Sequence, residues 1–234
     1  MPSIRAVFFD IGDTLIFDDP PLRERFARAM QAVGIDFDPA GLAQAFRVGE
    51  DFALRRYLDG VPWEDPATLR GSAARIVAAL DVPPMTEERW RALRDAFASI
   101  GFQRRVHPQA IPLLEALRRR GFTVGAISDW EETLPELLAE LALTPHLDAL
   151  AVSAIVGVTK PAPAIFQAAL RQAGAVPENS LHVGDWYALD VAGARAVGMQ
   201  ALLFDHAGRT PRADCPRVQT FEELESYLLA LPDP

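Results

Sequence analysis

Short runs of consecutive apolar residues alternate along this chain with longer segments in which apolar positions repeat every three or four residues. The short runs predict buried strands, and the longer segments predict amphipathic helices. The predicted strands cover residues 4–9, 124–127, 147–152, 181–184 and 200–204. The predicted helices that accompany them cover residues 107–120, 132–141, 162–173, 190–197 and 221–231. This alternation predicts an α/β fold built on a parallel, doubly wound sheet.

A long segment after the first predicted strand has helical periodicity and no strand alternation. Its candidate helices cover residues 21–33, 39–58, 66–80 and 86–100, and proline, aspartate or threonine stands at or before each start. Four helices of this length can form a bundle. We therefore expect a core domain of residues 1–16 and 105–234, interrupted by a helical domain of residues 17–104. The alternative, in which these helices are one more layer of the core, stays open.

The composition limits the class of protein. Half of the 234 residues are hydrophobic (50%), which suffices for one large core and a smaller inserted domain. The net charge of −9 argues against nucleic acid or an anionic membrane as a partner. The single cysteine, Cys215, excludes an intramolecular disulfide framework. Because the chain also lacks an unbroken apolar run of ~18 residues and a leader-like first segment, we expect a cytoplasmic monomer or homodimer.

Polar residues stand where three of the predicted strands end. Asp10 follows the first strand, Ser128-Asp129 follows the second, and Gly184-Asp185 follows the fourth. Ligands of open parallel sheets bind outside the carboxyl ends of the strands, so these groups can converge on one site. Lys160 is the only lysine beside 22 arginines, and lysine supplies a compact, mobile charge where arginine supplies a planar fork.

Four ordered motifs of this chain resemble those of the haloacid dehalogenase superfamily of hydrolases. They are Asp10 to Leu15, Ser128, Lys160-Pro161, and Gly184-Asp185 with Asp190. The resemblance spans the core, about two thirds of the chain, and each motif follows an element of the appropriate type. It implies a Rossmann-like core, an α-helical cap inserted after the first motif that closes over the site, and a small phosphorylated substrate.

The resemblance also implies a role for each carboxylate. Asp10 is the expected nucleophile, which forms an aspartyl phosphate, and Mg²⁺ offsets the repulsion between carboxylate and phosphate. Hard oxygen donors suit Mg²⁺, so Asp10, the Gly12 carbonyl and Asp185 are its expected ligands. Asp190 is expected to orient ligands or waters from a second layer.

The remaining motif residues are expected to hold the phosphoryl group. Thr14, Ser128 and the backbone amide of Asp129 can donate hydrogen bonds to phosphoryl oxygens or to the nucleophile. Lys160 can neutralise charge that the clustered carboxylates leave unbalanced. Asp10, Lys160, Ser128 and Thr14 are thus the predicted catalytic residues.

One position departs from the phosphatases of this superfamily. They usually place a second aspartate two residues after the nucleophile, as general acid and base, and here that residue is Gly12. Asp13 is the nearest carboxylate, but in an extended segment its side chain points to the opposite face unless the backbone turns sharply. Without this aspartate, alkyl phosphates should be poor substrates and acyl or aryl phosphates better ones.

Gly12 keeps two other functions open. A 2-haloacid dehalogenase needs neither a metal nor a proton donor for its halide, but without a cation Asp185 would repel both the nucleophile and the haloacid. A non-catalytic protein that binds a phosphometabolite or a partner would also tolerate the glycine. Phosphonate cleavage through a Schiff base on a cap lysine is disfavoured, because residues 17–104 contain no lysine.

Aromatic and histidine residues also stand near the motifs. Trp130 and Trp186-Tyr187 either line the entrance to the site or pack in the interior. His182 lies within an apolar strand, which is typical of a structural histidine with satisfied hydrogen bonds.

Overall fold

The computed structural model describes residues 3–234 and divides the chain into two compact units. The core unit comprises the segment up to Phe17 together with Arg104–Pro234, and the helical unit is Asp18–Gln103. The eight strands are Ala6–Phe9 (β1), Ile16–Asp19 (β2), Gln103–Val106 (β3), Thr123–Ser128 (β4), Ala149–Val152 (β5), Ser180–Gly184 (β6), Gln200–Phe204 (β7) and Arg217–Val218 (β8).

Ten α-helices accompany these strands in the described residues. They are Leu22–Ala32 (α1), Leu42–Leu58 (α2), Pro66–Ala79 (α3), Glu87–Ser99 (α4), Ala110–Arg119 (α5), Leu134–Glu140 (α6), Ser153–Val156 (α7), Pro163–Ala173 (α8), Ala192–Ala196 (α9) and Phe221–Leu229 (α10). A π-helical turn, Tyr187–Val191, leads into α9. No helix among residues 3–234 combines the length and apolar character that crossing a bilayer requires.

The core unit contains a six-stranded sheet in the order β5-β4-β1-β6-β7-β8. Every neighbouring pair in this sheet is parallel. The chain builds outward from β1 through β4 and β5, and then crosses to the other side of β1 to add β6, β7 and β8. This reversal confirms the predicted doubly wound sheet, and it places the end of β1 at the switch point where such sheets bind ligands.

Both faces of the sheet are covered, as the continuous apolar run of β1 requires. Val7 and Phe9 belong to a hydrophobic cluster with residues of α5, α6 and α10. Ala6 and Phe8 belong to a second cluster with residues of α8 and α9. Successive side chains of a strand point to opposite faces, so a four-residue strand that is fully buried must be apolar at every position.

The helical unit has a hydrophobic core of its own. Residues of α1 to α4 supply its buried side chains, among them Phe26, Met30, Phe46, Ile76 and Leu93. Two helix starts have the capping that the sequence predicts. The Asp65 side chain accepts a hydrogen bond from the Thr68 amide ahead of α3, and Thr86 accepts one from the Arg89 amide at α4.

Three local features differ from the predicted pattern. β2 and β3 form a small separate sheet that was not predicted, since each strand has only four residues and mixed polarity. The very short edge strand β8 was also not predicted. The helical turn Ser153–Val156, which ends at Gly157 with φ +85°, was not predicted either.

Candidate active site

The nucleophile predicted from the sequence lies at the carboxyl end of the central strand. Asp10 follows β1, and its backbone amide donates a hydrogen bond to the carbonyl of Val183 in β6 (2.8 Å). Because Phe9 is paired with Val183, residue 10 lies beside Gly184, and Asp185 follows on the adjacent strand end. Asp10 and Asp185 are 6% and 3% exposed. The parallel register therefore brings two buried carboxylates to one edge of the sheet.

Lys160 joins two of the motifs directly. Its Nζ donates to Asp10 Oδ1 (2.6 Å) and to Asp190 Oδ1 (2.7 Å), and the residue is buried. Its backbone amide donates to Asp129 Oδ1 (2.9 Å), so the Asp129 carboxylate positions the loop that carries the lysine. This contact is additional to the phosphate-binding role predicted for the Asp129 amide.

Asp190 is held from three sides at the start of the last motif. Oδ1 contacts His182 Nε2 (2.9 Å) besides Lys160, and Oδ2 accepts from the Trp186 amide (2.9 Å). A Cβ at position 184 would lie 2.2 Å from Asp190 Cγ, so glycine there allows the carboxylate to lie against the strand. These contacts fix the orientation of Asp190 and, through it, of Lys160.

The expectation of a fully satisfied His182 was wrong for one ring nitrogen. Nε2 pairs with Asp190, but Nδ1 is buried without a hydrogen-bond partner in the described residues. Burial lowers the pKa of His182 despite the neighbouring carboxylate, which favours the neutral ring with its proton on Nε2. An unpaired nitrogen is less costly on a neutral imidazole than on an imidazolium.

The charges at this edge of the sheet do not balance. Asp10, Asp185 and Asp190 are three carboxylates, and Lys160 and Arg209 are two cations, so with all five side chains ionised this group carries one excess negative charge. Burial, reinforced by the charges of Asp190 and Asp185, raises the pKa of Asp10 well above its usual range even though Lys160 opposes the shift.

The pKa shifts of Lys160 and Asp190 favour the charged form of each side chain, whereas the shift of Asp10 favours its neutral form. Burial alone would lower the pKa of Lys160, but the charges of Asp10 and Asp190 raise it well above its usual value. Burial alone would raise the pKa of Asp190, but Lys160 and His182 together lower it strongly. Lys160 and Asp190 therefore form a stable ion pair, and Asp10 carries the unfavourable charge.

Arg209 was not identified from the sequence. Its Nη1 donates to Asp185 Oδ2 (2.9 Å), and its guanidinium lies 4.3 Å from the centre of the Trp186 ring. His206 Nε2 lies 3.8 Å from the same carboxylate oxygen. The sequence does contain one indication of this loop. Asp205 directly follows β7 and is thus one more carboxylate at a strand end, and its side chain accepts a hydrogen bond from the Arg209 amide.

The loop after Asp10 turns sharply, which corrects the extended geometry assumed for Asp13. The amides of Leu15 and Ile16 both donate to the Ile11 carbonyl (3.0 Å each), and Asp13 has φ +53°. As a result, a carboxylate oxygen of Asp13 and ligand atoms of Asp185 and His206 all lie within 4.8 Å of one another. Asp13 therefore lies on the same side as the site.

Trp130 occupies the space next to Gly12. A Cβ at position 12 would lie 3.4 Å from Trp130 Cζ3, an ordinary van der Waals contact. The Trp130 amide donates to Ser153 Oγ (3.0 Å), and the Arg104 guanidinium lies 4.7 Å from the centre of the ring. The indole of Trp130 therefore packs beside the nucleophile's loop, within contact distance of a side chain added at position 12.

The two predicted hydroxyl donors are both buried. Thr14 Oγ1 lies 3.5 Å from Asp10 Oδ2, the outer limit of a hydrogen bond. Ser128 is the last residue of β4, the strand that flanks β1 on the side away from β6. Both hydroxyls therefore lie near the end of β1, and only Thr14 contacts Asp10 directly.

The donor chemistry of this edge fits a divalent cation such as Mg²⁺. Asp10 and Asp185 place carboxylate oxygens, the donors that Mg²⁺ prefers, on neighbouring strand ends, and the backbone of Gly12 lies in the adjoining turn. The excess negative charge supplies the electrostatic reason for a cation. Asp190 is fully engaged with Lys160, His182 and the Trp186 amide, which suits a supporting position rather than a ligand.

Comparisons with known proteins agree with this geometry. Residues 4–198 match the haloacid dehalogenase-like hydrolase family. Haloacid dehalogenase-like hydrolase domain-containing protein 3 of Mus musculus is 31% identical over 242 residues, which cover 98% of this chain and 94% of the mouse protein. Glyceraldehyde 3-phosphate phosphatase of Methanopyrus kandleri is 30% identical over 210 residues, which cover 84% and 82%.

A solved structure extends the comparison to the fold. The 2-haloacid dehalogenase from Pseudomonas syringae pv. Tomato has 27% sequence identity and a TM-score of 0.54, with 97% of this chain and 98% of that chain covered. The family match over most of the chain, the switch-point carboxylates and the lysine between them lead to one conclusion: this chain belongs to the haloacid dehalogenase-like hydrolase family.

Proposed function

We propose that this hydrolase is a Mg²⁺-dependent phosphohydrolase that acts on a small phosphorylated metabolite through an aspartyl phosphate on Asp10. The observation that carries the proposal is the excess negative charge of Asp10, Asp185 and Asp190 over Lys160 and Arg209. A divalent cation reverses this excess and allows an anionic phosphoryl group to approach Asp10. The glyceraldehyde 3-phosphate phosphatase of Methanopyrus kandleri, one of several phosphatases among the similar proteins, supports the same chemistry.

The reaction follows from the contacts of Asp10. A carboxylate oxygen of Asp10 attacks phosphorus, and the bond to the leaving oxygen breaks with its electron pair on that oxygen. Water then attacks the phosphorus of the aspartyl phosphate, gives up a proton to solvent, which also protonates the departed alkoxide or phenolate as its basicity requires, and releases inorganic phosphate and free Asp10. Lys160, already 2.6 Å from Asp10 Oδ1, stabilises charge on the phosphoryl oxygens in both steps.

The other motif residues bind and orient the phosphoryl group. Thr14 Oγ1, Ser128 Oγ and the Asp129 amide donate hydrogen bonds to its oxygens. Asp10, the Gly12 carbonyl and Asp185 would hold Mg²⁺, which when bound withdraws charge from the phosphoryl oxygens. Asp190 accepts a hydrogen bond from Lys160 and so keeps the lysine oriented toward Asp10. We further propose that the helical unit is a cap that selects the substrate.

Gly12 keeps a second candidate function in view, namely 2-haloacid dehalogenation. Halide leaves without a proton, so the absence of an acid at position 12 costs that reaction nothing. The buried Asp185 argues against it, because a metal-free site would then hold an excess negative charge against the carboxylate of the haloacid. We therefore rank it below phosphate hydrolysis.

Metal dependence separates these candidates. We expect the protein to hydrolyse p-nitrophenyl phosphate with added Mg²⁺ and to lose this activity completely in EDTA, because the uncompensated charge then faces the phosphoryl group. Release of p-nitrophenolate is followed by absorbance. Halide release from a 2-haloacid in EDTA would instead establish the dehalogenase, and binding of phosphate without turnover would indicate a non-catalytic protein.

Gly12→Asp is expected to raise the turnover of alkyl phosphates by up to ~10²-fold, because it restores a general acid and base two residues after the nucleophile. The Cβ fits beside Trp130 at 3.4 Å. Aryl phosphates should gain much less, since their leaving group needs little protonation. Turnover is measured for a matched pair of one alkyl and one aryl phosphate.

Gly12→Asn is the control for this substitution, because it has nearly the same shape and cannot transfer a proton. It should leave the ratio of alkyl to aryl turnover unchanged. An equal gain in both variants would show that shape, and not acid–base chemistry, limits the reaction.

A further inference from the structure

We propose that Arg209 is an internal counter-cation that competes with the divalent ion for Asp185 and thereby sets the metal affinity of the site. This inference rests on the metal site of the proposed function. Arg209 lies beyond residues 4–198, so the part of the chain that matches the family includes Asp185 but not its cationic partner.

The contact between Arg209 and Asp185 is largely, though not completely, buried. Nη1 of the arginine lies 2.9 Å from Oδ2 of the aspartate, and the two side chains are 13% and 3% exposed. Exposed ion pairs contribute little to folding stability, but removing one partner of a pair that is shielded from solvent leaves the other charge uncompensated. Arg209 therefore stabilises the Asp185 carboxylate when no metal is bound.

The loop that carries Arg209 is built around one fully buried carboxylate. Asp205 Oδ1 accepts from the Arg209 amide (2.6 Å), and Oδ2 accepts from the Thr210 amide (3.0 Å). Arg217 Nε donates to the same Oδ2 (2.8 Å) and ties the loop to β8. Trp186 adds a ring face 4.3 Å from the guanidinium. The guanidinium is thus held in place from both its backbone and its side chain.

The guanidinium of Arg209, held beside Asp185, makes it less favourable for a second cation to bind the same carboxylate. For Mg²⁺ to use Asp185, either the ion pair with Arg209 must open or the two cations must share the carboxylate at close range. Each alternative makes binding less favourable than it would be at an unpaired aspartate. The same contact lowers the charge excess of the metal-free protein.

Arg209→Gln tests this inference. Isothermal titration of the metal-stripped protein with MgCl₂ alone is expected to give a dissociation constant at least ~10-fold lower than that of the wild type, because the competing charge is gone. Arg209→Lys keeps the charge and should stay close to the wild-type value. An effect on folding alone would not make the metal bind more tightly.

Arg195→Gln is the matched control. Arg195 also pairs with an aspartate, Asp214 at 2.7 Å, but this pair is exposed and lies outside the group of site residues. Its variant should bind Mg²⁺ as the wild type does. An unchanged or weaker Mg²⁺ affinity in Arg209→Gln would overturn the inference while leaving the metal site itself intact. A wild-type protein without any Mg²⁺ binding would instead contradict the proposed function, and the inference with it.

A second measurement covers the case in which Arg209→Gln does not fold. The Nε–Hε NMR signal of Arg209 in the wild-type protein, assigned by its loss in Arg209→Lys, should shift as MgCl₂ is added. A signal that stays in place up to metal saturation would show that Arg209 does not respond to the ion, and would also overturn the inference. Weaker binding of inorganic phosphate to Arg209→Gln at unchanged Mg²⁺ affinity would assign the arginine to the substrate instead.

Discussion

Asp10→Asn is expected to lower the turnover of p-nitrophenyl phosphate by at least ~10⁴-fold, because an amide oxygen cannot form the aspartyl phosphate. The loss should appear in kcat, since the phosphate-binding groups remain in place. Rapid quenching of the wild-type reaction should also trap phosphate on the protein, and no such trapping should occur in the variant.

Asp10→Asn should not lower the folding stability of the metal-free protein. The pKa of Asp10 is raised in the folded state, so the folded protein binds this proton more tightly than the unfolded chain does. The destabilisation therefore develops as the pH rises through the unfolded value of about 4 and persists at neutral pH. Asparagine removes it, so without Mg²⁺ the variant should melt at or above the wild-type temperature. A clearly lower melting temperature would contradict this charge balance.

Asp214→Asn serves as the control for both effects. Asp214 is an exposed aspartate paired with Arg195, and the substitution changes charge by the same amount away from the site. We expect wild-type turnover from it. A comparable loss of activity would point to net charge rather than to the nucleophile.

Lys160→Met is expected to lower the free energy of unfolding by about 3–5 kcal/mol, because it leaves the buried carboxylates of Asp10 and Asp190 without their shared cation. For a chain of this size that corresponds to a fall in melting temperature on the order of 10 °C. Thermal unfolding followed by circular dichroism measures it. Phosphatase activity should also fall, since the charge that meets the phosphoryl oxygens is lost.

The double variant Asp10→Asn/Lys160→Met distinguishes a charge effect from a packing effect. If repulsion between carboxylates destabilises Lys160→Met, Asp10→Asn should raise the stability of this variant by more than it raises that of the wild type, so the two substitutions will not be additive. The same effect of Asp10→Asn in both backgrounds would show that the methionine side chain fails for steric reasons.

The central part of this site was predictable from the sequence because it depends on strand ends. Asp10 and Asp185 directly follow short apolar runs, and a parallel sheet brings such residues to one edge whatever the connections between them. Lys160 could be found through its rarity, although its contact with Asp190 could not. Its two bonds depend on the conformation of the loop between α7 and α8, which the pattern of apolar residues does not predict.

The residues that escaped prediction depend on backbone conformation and on distant contacts. Asp13 reaches the site because its backbone is left-handed, and the sequence pattern assumed an extended segment. Arg209 meets Asp185 across 24 positions through a loop shaped by Asp205. No periodicity encodes such a loop, since its conformation comes from side-chain to backbone hydrogen bonds. The contact between Trp130 and Gly12 likewise depends on how the loop after β4 lies against the loop after β1, which the sequence pattern does not predict.

The burial of Lys160 has a practical consequence for labelling. Since no other lysine occurs in the chain, reagents that acylate side-chain amines have a single target, and that target is 4% exposed. Succinimidyl esters and lysine-directed cross-linkers should leave this side chain unmodified while the fold is intact, and react with it once the chain unfolds. Acylation of this one amine would thus report directly on opening of the site.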